Sequence, residues 1–298
     1  MPSLRVNFGD LLAPGFRSIF MDKFGEYPAE WPSIFNKLSS QRQYEDDSSI
    51  SGFGFVPEKE EGVGITYDDP IQGYDKRYTH KTYGLGFRVT KEMWEDDLYN
   101  KMNKMPKALG RSMRVTQETD MANVYNRAFN SSYTGGDGKE LCATDHPLTG
   151  GGTEQNELTN AADFSDTSLE QALIDIQATL DDRSLVLALR PKKLLVAPSG
   201  EWNAIRVLRS SQDPDSGNNA INPAKGALPG GIVVNHYLTD TDAWFILCDD
   251  HEVNAFIRRA TSFDRTNDFD TEDAKFKTTS RWSNGFSDWR GIFGSPGI

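Results

Sequence analysis

Two pairs of cysteine and histidine residues are the side chains in this sequence best suited to chemistry. Cys142 is followed by His146, and Cys248 is followed by His251. Two thiols and two imidazoles form a ligand set that Zn²⁺ accepts, which leaves open a metal-dependent cytoplasmic enzyme that uses all four residues. Because the spacing within each pair is loose and the pairs lie about a hundred residues apart, we expect structural side chains and no metal.

Three other patterns resemble functional motifs but lack a required part. The run Asp249–Glu252 offers oxygen ligands for a divalent cation, but it directly follows an apolar run, which favours a solvated turn. Gly138 and Lys139 lack the upstream glycine and the following Ser or Thr of a phosphate-binding loop. Ser199 precedes a predicted helix, as a hydrolase nucleophile does, but Gly-x-Ser-x-Gly is absent. The sequence therefore predicts no catalytic residue and no cofactor.

The charge balance and the apolar runs exclude several classes of protein. The 298 residues include 32 Lys and Arg against 44 Asp and Glu, a net charge of −12, which opposes general binding to nucleic acids. The longest apolar runs, 184–189 and 243–248, are far shorter than the ~20 residues that span a bilayer, so we expect no membrane segment. The N-terminal residues lack a signal-peptide pattern, and two cysteines cannot form a disulfide framework. We therefore expect a reducing cytoplasm.

The elements that would position these residues begin with an arm, residues 1–49. Proline-containing breaks interrupt it, and its aromatic side chains have little local surface to pack against. The arm can fold back on its own body, which the residues taken alone favour, or lie across a neighbouring subunit, which is our hypothesis because its aromatics exceed what a short arm can bury on itself. The aromatic residues expected at that contact are Phe16, Phe20, Phe24, Trp31 and Phe35.

A long β-hairpin is predicted over residues 50–90, with a turn near Asp68–Pro70. The charged run Glu58–Glu61 interrupts its apolar alternation, so one face lacks a partner within its own subunit. We expect this hairpin to project over an adjacent subunit. The side chains expected at that contact are Phe53, Phe55, Tyr74, Tyr78 and Tyr83.

Helical spacing of apolar residues predicts one long helix over 91–129, on which Trp94 and Leu98 share the apolar face and Pro106 and Gly110 form a kink. The basic residues on or near this helix indicate a solvated face or intersubunit ion pairs; they are Lys101, Lys104, Lys107, Arg111 and Arg114. A glycine-rich loop follows, with a strand expected near Leu141.

A compact α/β unit is predicted over residues 161–250. Its first helix is expected to start at a capping box, Thr167–Glu170. Strands over 192–198, 232–236 and 243–248 and a helix over 201–211 follow, and two more strands are predicted over 253–260 and 274–282.

Two stretches of sequence resemble a known family. Ala-Thr-Asp-His-Pro-Leu at 143–148, followed by Gly-Gly-Gly-Thr at 150–153, is similar to the His-Pro and glycine stretch of Mu-like phage head subunits. Arg-Trp-Ser-Asn-Gly-Phe-Ser-Asp-Trp-Arg-Gly at 281–291 resembles the C-terminal stretch of the same proteins. With the order of elements, these stretches resemble the major capsid proteins of tailed bacteriophages, the Hong Kong 97 type, over nearly the whole chain.

The resemblance implies an α+β fold of defined parts. They are an N-terminal arm (1–49), an extended hairpin called the E-loop (50–90), a peripheral domain with a long spine helix (91–160 and 251–298) and an axial α/β domain (161–250). The implied function is that of a structural subunit that self-assembles into pentamers and hexamers of an icosahedral head around double-stranded DNA. The alternative is an encapsulin-like bacterial nanocompartment shell that encloses a cargo enzyme.

The resemblance also implies partners and a location. The chain would be found in the virion after assembly in the host cytoplasm, with packaged DNA bound without sequence specificity and with no membrane. The resemblance implies a portal protein and is compatible with cement or decoration proteins. Some relatives carry a long N-terminal scaffolding segment; none precedes the arm here, so we expect a separate scaffold protein or an already processed chain. No covalent cross-link between subunits is predicted.

Overall fold

The structure is a computed structural model that describes residues 8–26, 28–90, 92–93, 96, 101–212, 221–268 and 273–298. No helix in this part of the chain combines the length and the apolar content needed to cross a membrane. The helices are α1 (Phe8–Gly25), α2 (Lys104–Asn126), α3 (Asp166–Ala178) and α4 (Glu201–Arg209). Short 3₁₀ turns occupy Trp31–Ser33 and Lys101–Asn103.

Twelve strands are found in the described part of the chain, in two four-stranded sheets and two ribbons. They are β1 (Asn36–Ser39), β2 (Tyr44–Ile50), β3 (Gln72–Thr79), β4 (Lys81–Val89), β5 (His146–Pro147), β6 (Thr153–Glu154), β7 (Pro191–Val196), β8 (Gly231–Val234), β9 (Trp244–Cys248), β10 (Val253–Asn267), β11 (Ala274–Phe286) and β12 (Ile292–Ser295). The strand expected near Leu141 is absent there; a two-residue ribbon, β5 with β6, lies nearby.

The axial sheet has the order β12-β9-β7-β8. Strand β9 is buried on both faces, as a continuous apolar run in a central position requires. Successive residues of β7 point to opposite faces, so Leu195 enters one hydrophobic core while Leu194 and Val196 enter a second core beneath α3 and α4. Strand β12 completes this sheet by pairing with β9, although the sequence assigned residues 292–295 to the peripheral part.

The peripheral sheet has the order β1-β10-β11-β4. Strands β10 and β11 extend to Asn267 and Phe286, beyond their expected ends at 260 and 282, because they pair along a long antiparallel ribbon. Strand β4 pairs with β11 along its whole length. Of the hairpin predicted over 50–90, strands β2 and β3 pair with each other, whereas residues 81–89 form part of this sheet and do not project.

Helix α2 is shorter than the expected helix over 91–129. Pro106 lies in its first turn, where a proline removes no intrahelical hydrogen bond, so it does not form the expected kink. Gly110 is buried against α1, and a Cβ there would lie 2.8 Å from the backbone oxygen of Phe20. Trp94 and Leu98 lie outside the described residues.

The arm folds back on its own subunit. Phe16, Phe20, Trp31 and Phe35 are at most 4% exposed and belong to the larger core, between α2 and the peripheral sheet. The ring of Phe20 packs with its centre 5.0 Å from that of Phe263 on β10. The expectation that these four side chains contact a neighbour is therefore corrected, because their partners come from the same chain.

Helix α3 begins two residues earlier than the capping prediction places it. Ser165 is the N-cap, its Oγ accepts the backbone N–H of Ser168, and the Ser165 N–H donates to the Oγ of Ser168 at 2.8 Å. The reciprocal pair thus uses two serines in place of Thr167 and Glu170, and it fixes where the chain enters the layer above the axial sheet.

Candidate intersubunit surface

The ten aromatic residues expected at subunit contacts occupy different environments. Five are buried within the chain, namely Phe16, Phe20, Trp31, Phe35 and Tyr78. Phe24, Tyr74 and Tyr83 are half-buried. Only Phe53 and Phe55, at 58% and 77% exposure, present most of their surface to solvent. Of the ten, the two that offer most of their surface to a neighbour thus lie in one segment between β2 and β3.

That segment, residues 51–71, is the hairpin loop. It has no regular secondary structure, and most of its large apolar side chains are more than half exposed. These are Phe53, Phe55, Val56, Val63, Ile65 and Tyr67, with exposures of 54% to 93%. The apolar side chains lie on both sides of the charged run Glu58–Glu61, and such a group favours a contact surface, because single exposed apolar residues are ordinary but clusters are rare.

The base of the hairpin loop is fixed to the axial part of the same chain. Arg183 donates to the backbone oxygen of Asp69 at 2.6 Å and pairs with the carboxylate of Asp68 at 3.3 Å. The Gly54 N–H also donates to Asp68, and this hydrogen bond, with the Arg183 charge, lowers the pKa of the Asp68 carboxyl. Both ends of the loop are therefore held, while the exposed apolar side chains between them are available to a partner.

The strands below the loop are joined to the peripheral sheet by buried and partly buried hydrogen bonds. Tyr78 Oη lies 2.7 Å from Ser287 Oγ, which donates to Asp47 at 2.5 Å. Burial raises the pKa of Tyr78, so the hydroxyl stays protonated. His80, between β3 and β4, contacts Ser40 and Ser283 with its two ring nitrogens, each at 2.9 Å.

The four residues of the zinc hypothesis are not brought together. Cys142 lies in the larger core and Cys248 in the second core beneath α3 and α4. Burial raises the pKa of the Cys248 thiol to about 12 and that of Cys142 well above its usual value, so both thiols are protonated. Within the described residues, no group of three or more His, Cys, Asp and Glu side chains could hold a metal ion.

His146 has a structural role. Its ring is stacked on Trp289 at 4.3 Å, and its nitrogens lie 2.6 Å from Asp137 and 3.0 Å from the Asn156 side-chain oxygen. The Asn156 amide also donates to the backbone oxygen of Leu141 at 2.7 Å. This cluster ties the glycine-rich loop to the C-terminal segment, which places the two stretches of family-like sequence in direct contact.

The remaining motif-like patterns also have ordinary structural roles. Asp249 pairs with Lys192 at 2.5 Å, which lowers the pKa of its carboxyl. Ser199 donates to the backbone oxygen of Thr241 at 2.7 Å. In the basic group of α2, the Arg114 guanidinium lies 3.9 Å from the ring centre of Phe24 and links the helix to α1.

Comparison with known proteins gives a consistent assignment. A family model described as phage capsid protein matches residues 73–294, well over half of the chain, so this chain belongs to the phage capsid protein family. A comparison with curated proteins finds no match. The fold and the family together define a structural shell subunit of a phage head, and they favour this function over a nanocompartment shell.

Solved structures show the same fold at low sequence identity. The capsid of the cyanophage P-SCSP1u is 9% identical with a TM-score of 0.58, over 90% of this chain and 87% of that chain. A virus-like particle from Pyrococcus furiosus is 13% identical with a TM-score of 0.53, over 94% and 97%. The procapsid of bacteriophage JBD30 is 14% identical with a TM-score of 0.51, over 99% and 75%. The predicted α+β fold of the Hong Kong 97 type is thereby confirmed.

Two features of this surface have no clear signal in the sequence. Strand β2 reads Tyr-Glu-Asp-Asp-Ser-Ser-Ile, which lacks apolar alternation, and it is held in part by a bidentate pair between Asp46 and Arg77 at 2.6 and 2.8 Å. The Arg183 contact joins residues more than a hundred positions apart. For β2, the only signal in the sequence is that oppositely charged residues occur in the two segments on either side of the hairpin loop.

Proposed function

We propose that this chain is the major subunit of an icosahedral bacteriophage head, which forms pentamers and hexamers and encloses double-stranded DNA without sequence-specific contacts. The observation that carries the proposal is the hairpin loop, whose apolar side chains are exposed in the single chain although both of its ends are anchored. Covering one large aromatic side chain contributes about 1.5–3 kcal/mol, and a ring repeats each contact five or six times.

The proposed division of the chain follows the sequence with two adjustments. The arm (1–49) packs on the spine helix α2. Residues 292–295 move from the peripheral domain (91–160 and 251–298) to the axial domain (161–250). Strand β4, in the range predicted for the E-loop (50–90), moves to the peripheral domain. Of the ten proposed contact residues, Phe53 and Phe55 are the ones we retain as direct contacts with an adjacent subunit of the same ring.

We propose further partners of the same assembly. They are a separate scaffold protein, a portal, packaged DNA, and cement or decoration proteins on the outer face, with assembly in the host cytoplasm. The net charge of −12 supports this proposal, because a shell that repels phosphate holds DNA without adhering to it. We also propose that the chain has no turnover activity, as is usual for a capsid protein, and that it belongs to the Mu-like branch.

Hydrogen exchange of the hairpin-loop amides, compared in free subunits and assembled particles, tests the proposal. We expect rapid exchange in free subunits and slow exchange in particles, with the amides of β9 equally slow in both as an internal control. Electron microscopy with and without the scaffold identifies the particles. Equal exchange of the loop in both states, or a chain that stays monomeric with scaffold present, would contradict the proposal.

A further inference from the structure

The outer face of α4 carries an exposed tryptophan beside two arginines. Trp202 is 71% exposed, and Arg206 and Arg209 follow at one and two turns on the same side of the helix. Within the described residues, none of the three forms an ion pair or a ring contact, whereas Ala204, Val207 and Leu208 on the opposite side fill the second core. The macrodipole accounts for arginines near a helix C-terminus, but it does not account for an exposed tryptophan.

The outer face of α3 has the complementary character. Glu170 is exposed, Ile174 is 55% exposed, and Asp175 is half-buried. Ile174 lies four positions after Glu170 and shares its side of the helix, while Asp175 follows Ile174 about 100° further round the helix. Asp175 accepts a hydrogen bond from the side chain of Gln171 at 2.8 Å, and Glu170 has no cationic partner in the described part of the chain.

The contacts of α4 and of the segment that precedes α3 reach opposite edges of the axial sheet, and Asn203 of α4 also donates to the Phe164 backbone oxygen at 2.7 Å. Helix α4 packs beside β8, which is one edge. The segment that leads into α3 is bonded to β12, the other edge, where Ser295 Oγ donates to the Ala162 backbone oxygen at 2.8 Å. A ring of identical subunits is closed by heterologous contacts, in which each copy offers two different patches on its two sides. The faces of α4 and α3 meet that requirement.

We propose that α4 of one copy docks on α3 of the next copy around a capsomer ring, with Trp202 packed on Ile174 and the arginines opposite Glu170 and Asp175. The inference rests on the proposed function, and it names the residues that close the ring. The partner is a second copy of this chain, because one chain carries both the basic face of α4 and the acidic face of α3. The contact places an aromatic anchor at the centre of the interface and charges around it, as interface hot spots do.

Charge reversal tests the pairing. The variant Arg206→Glu with Arg209→Glu, and the variant Glu170→Lys with Asp175→Lys, should each require a roughly tenfold higher protein concentration for assembly. The four changes in one chain should restore assembly at the parent concentration. Trp202→Ala should raise the required concentration about thirtyfold. Arg190→Glu, a matched reversal at an exposed position before β7, should have no effect.

Mixing the two charge-reversed variants in equal amounts gives a sharper test. Each variant carries two like-charged faces, so contacts form only between unlike chains, and a ring closes only if it has an even number of members. Native mass spectrometry should therefore show hexamers with three copies of each variant and no pentamers. Thermal unfolding of each free variant should match that of the parent.

The outcomes separate this inference from the proposed function. If the parent chain forms shells and both charge-reversed variants assemble at the parent concentration, the α4–α3 contact is refuted and the capsid function stands. If the four-change variant fails although it is folded, the pairing is also refuted. If the parent chain never assembles with scaffold present, the proposed function itself fails.

Discussion

Replacing Phe20 by alanine should destabilise the free subunit, because the arm is part of its own core. The Phe20 side chain is fully buried, its ring centre lies 5.0 Å from that of Phe263 and 6.1 Å from that of Phe24, and its backbone oxygen lies close to Gly110. These partners come from α1, α2 and β10, so the cavity left by the substitution is enclosed on several sides and has little room to collapse.

The magnitude follows from this enclosure. Removal of a buried phenylalanine side chain costs about 3–5 kcal/mol, which combines the lost transfer free energy with the cavity. For a chain of this length the unfolding entropy is roughly 0.6 kcal/mol/K, so the melting temperature should fall by about 6 °C. Phe55→Ala, at an exposed position of the hairpin loop, should change the melting temperature by less than about 1 °C.

Urea unfolding of free subunits, followed by tryptophan fluorescence, measures both variants under conditions that prevent assembly. The informative quantity is the difference in unfolding free energy between Phe20→Ala and Phe55→Ala, because the two changes remove the same atoms. If Phe20→Ala leaves the stability of the free subunit unchanged while it impairs assembly, α1 packs on a neighbouring subunit and is not part of its own core.

Three further predictions concern the polar cluster, a titrating carboxyl and the hairpin loop. Asn156→Ala should lower subunit stability by about 3 kcal/mol in urea unfolding, because buried backbone groups lose their partners. Burial and the charge of Glu140 raise the pKa of Glu157 to about 7, so its stabilising contribution is complete below pH 4.5 and is lost as pH rises through 7. Glu157→Gln should therefore be more stable than the parent at pH 8.5 and equal to it at pH 4.5. Phe55→Ser should leave urea unfolding unchanged but reduce the yield of particles in electron microscopy.

Each of these predictions has a control and a contrary result. Asn203→Ala, which removes one hydrogen bond to Phe164, should cost about 1 kcal/mol, and an equal loss for Asn156→Ala would contradict the role of the cluster. A stability difference for Glu157→Gln that does not vary with pH would show that the side chain does not titrate as described. Tyr133→Ser, at a half-exposed site outside the loop, should assemble normally. If it reduces the yield of particles as much as Phe55→Ser does, the effect is not specific to the hairpin loop.

The elements that the sequence predicts correctly are those whose partners lie nearby in the chain or whose apolar pattern is regular. The apolar run 243–248 predicted β9 because a strand buried on both faces needs apolar residues at every position. The helix over 201–211 was also predicted, since its apolar residues recur on one side. The assignment of the fold needed more than these patterns: it came from the resemblance in the order of elements, supported by two short stretches that the structure places in contact.

Elements whose partners are distant in sequence were predicted poorly. The aromatic residues of the arm looked unpartnered because Phe263 and Phe276, which pack on them, lie more than two hundred residues later. For the same reason β4 was assigned to the hairpin when its partner is β11. Periodicity shows that a face must be covered, but it does not show which part of the chain, or which copy, covers it.

The backbone passes between the peripheral and axial sheets three times: before β7, between β9 and β10, and between β11 and β12. In the proposed DNA-filled head, the packaged DNA would press outward and place the wall under lateral tension. In a subunit with a single linker between its two halves, that tension would fall on one peptide segment. Here three segments bear it in parallel, and β12, hydrogen-bonded to β9, must be stripped from its sheet before the halves separate. We expect such a wall to yield between subunits before it yields within one.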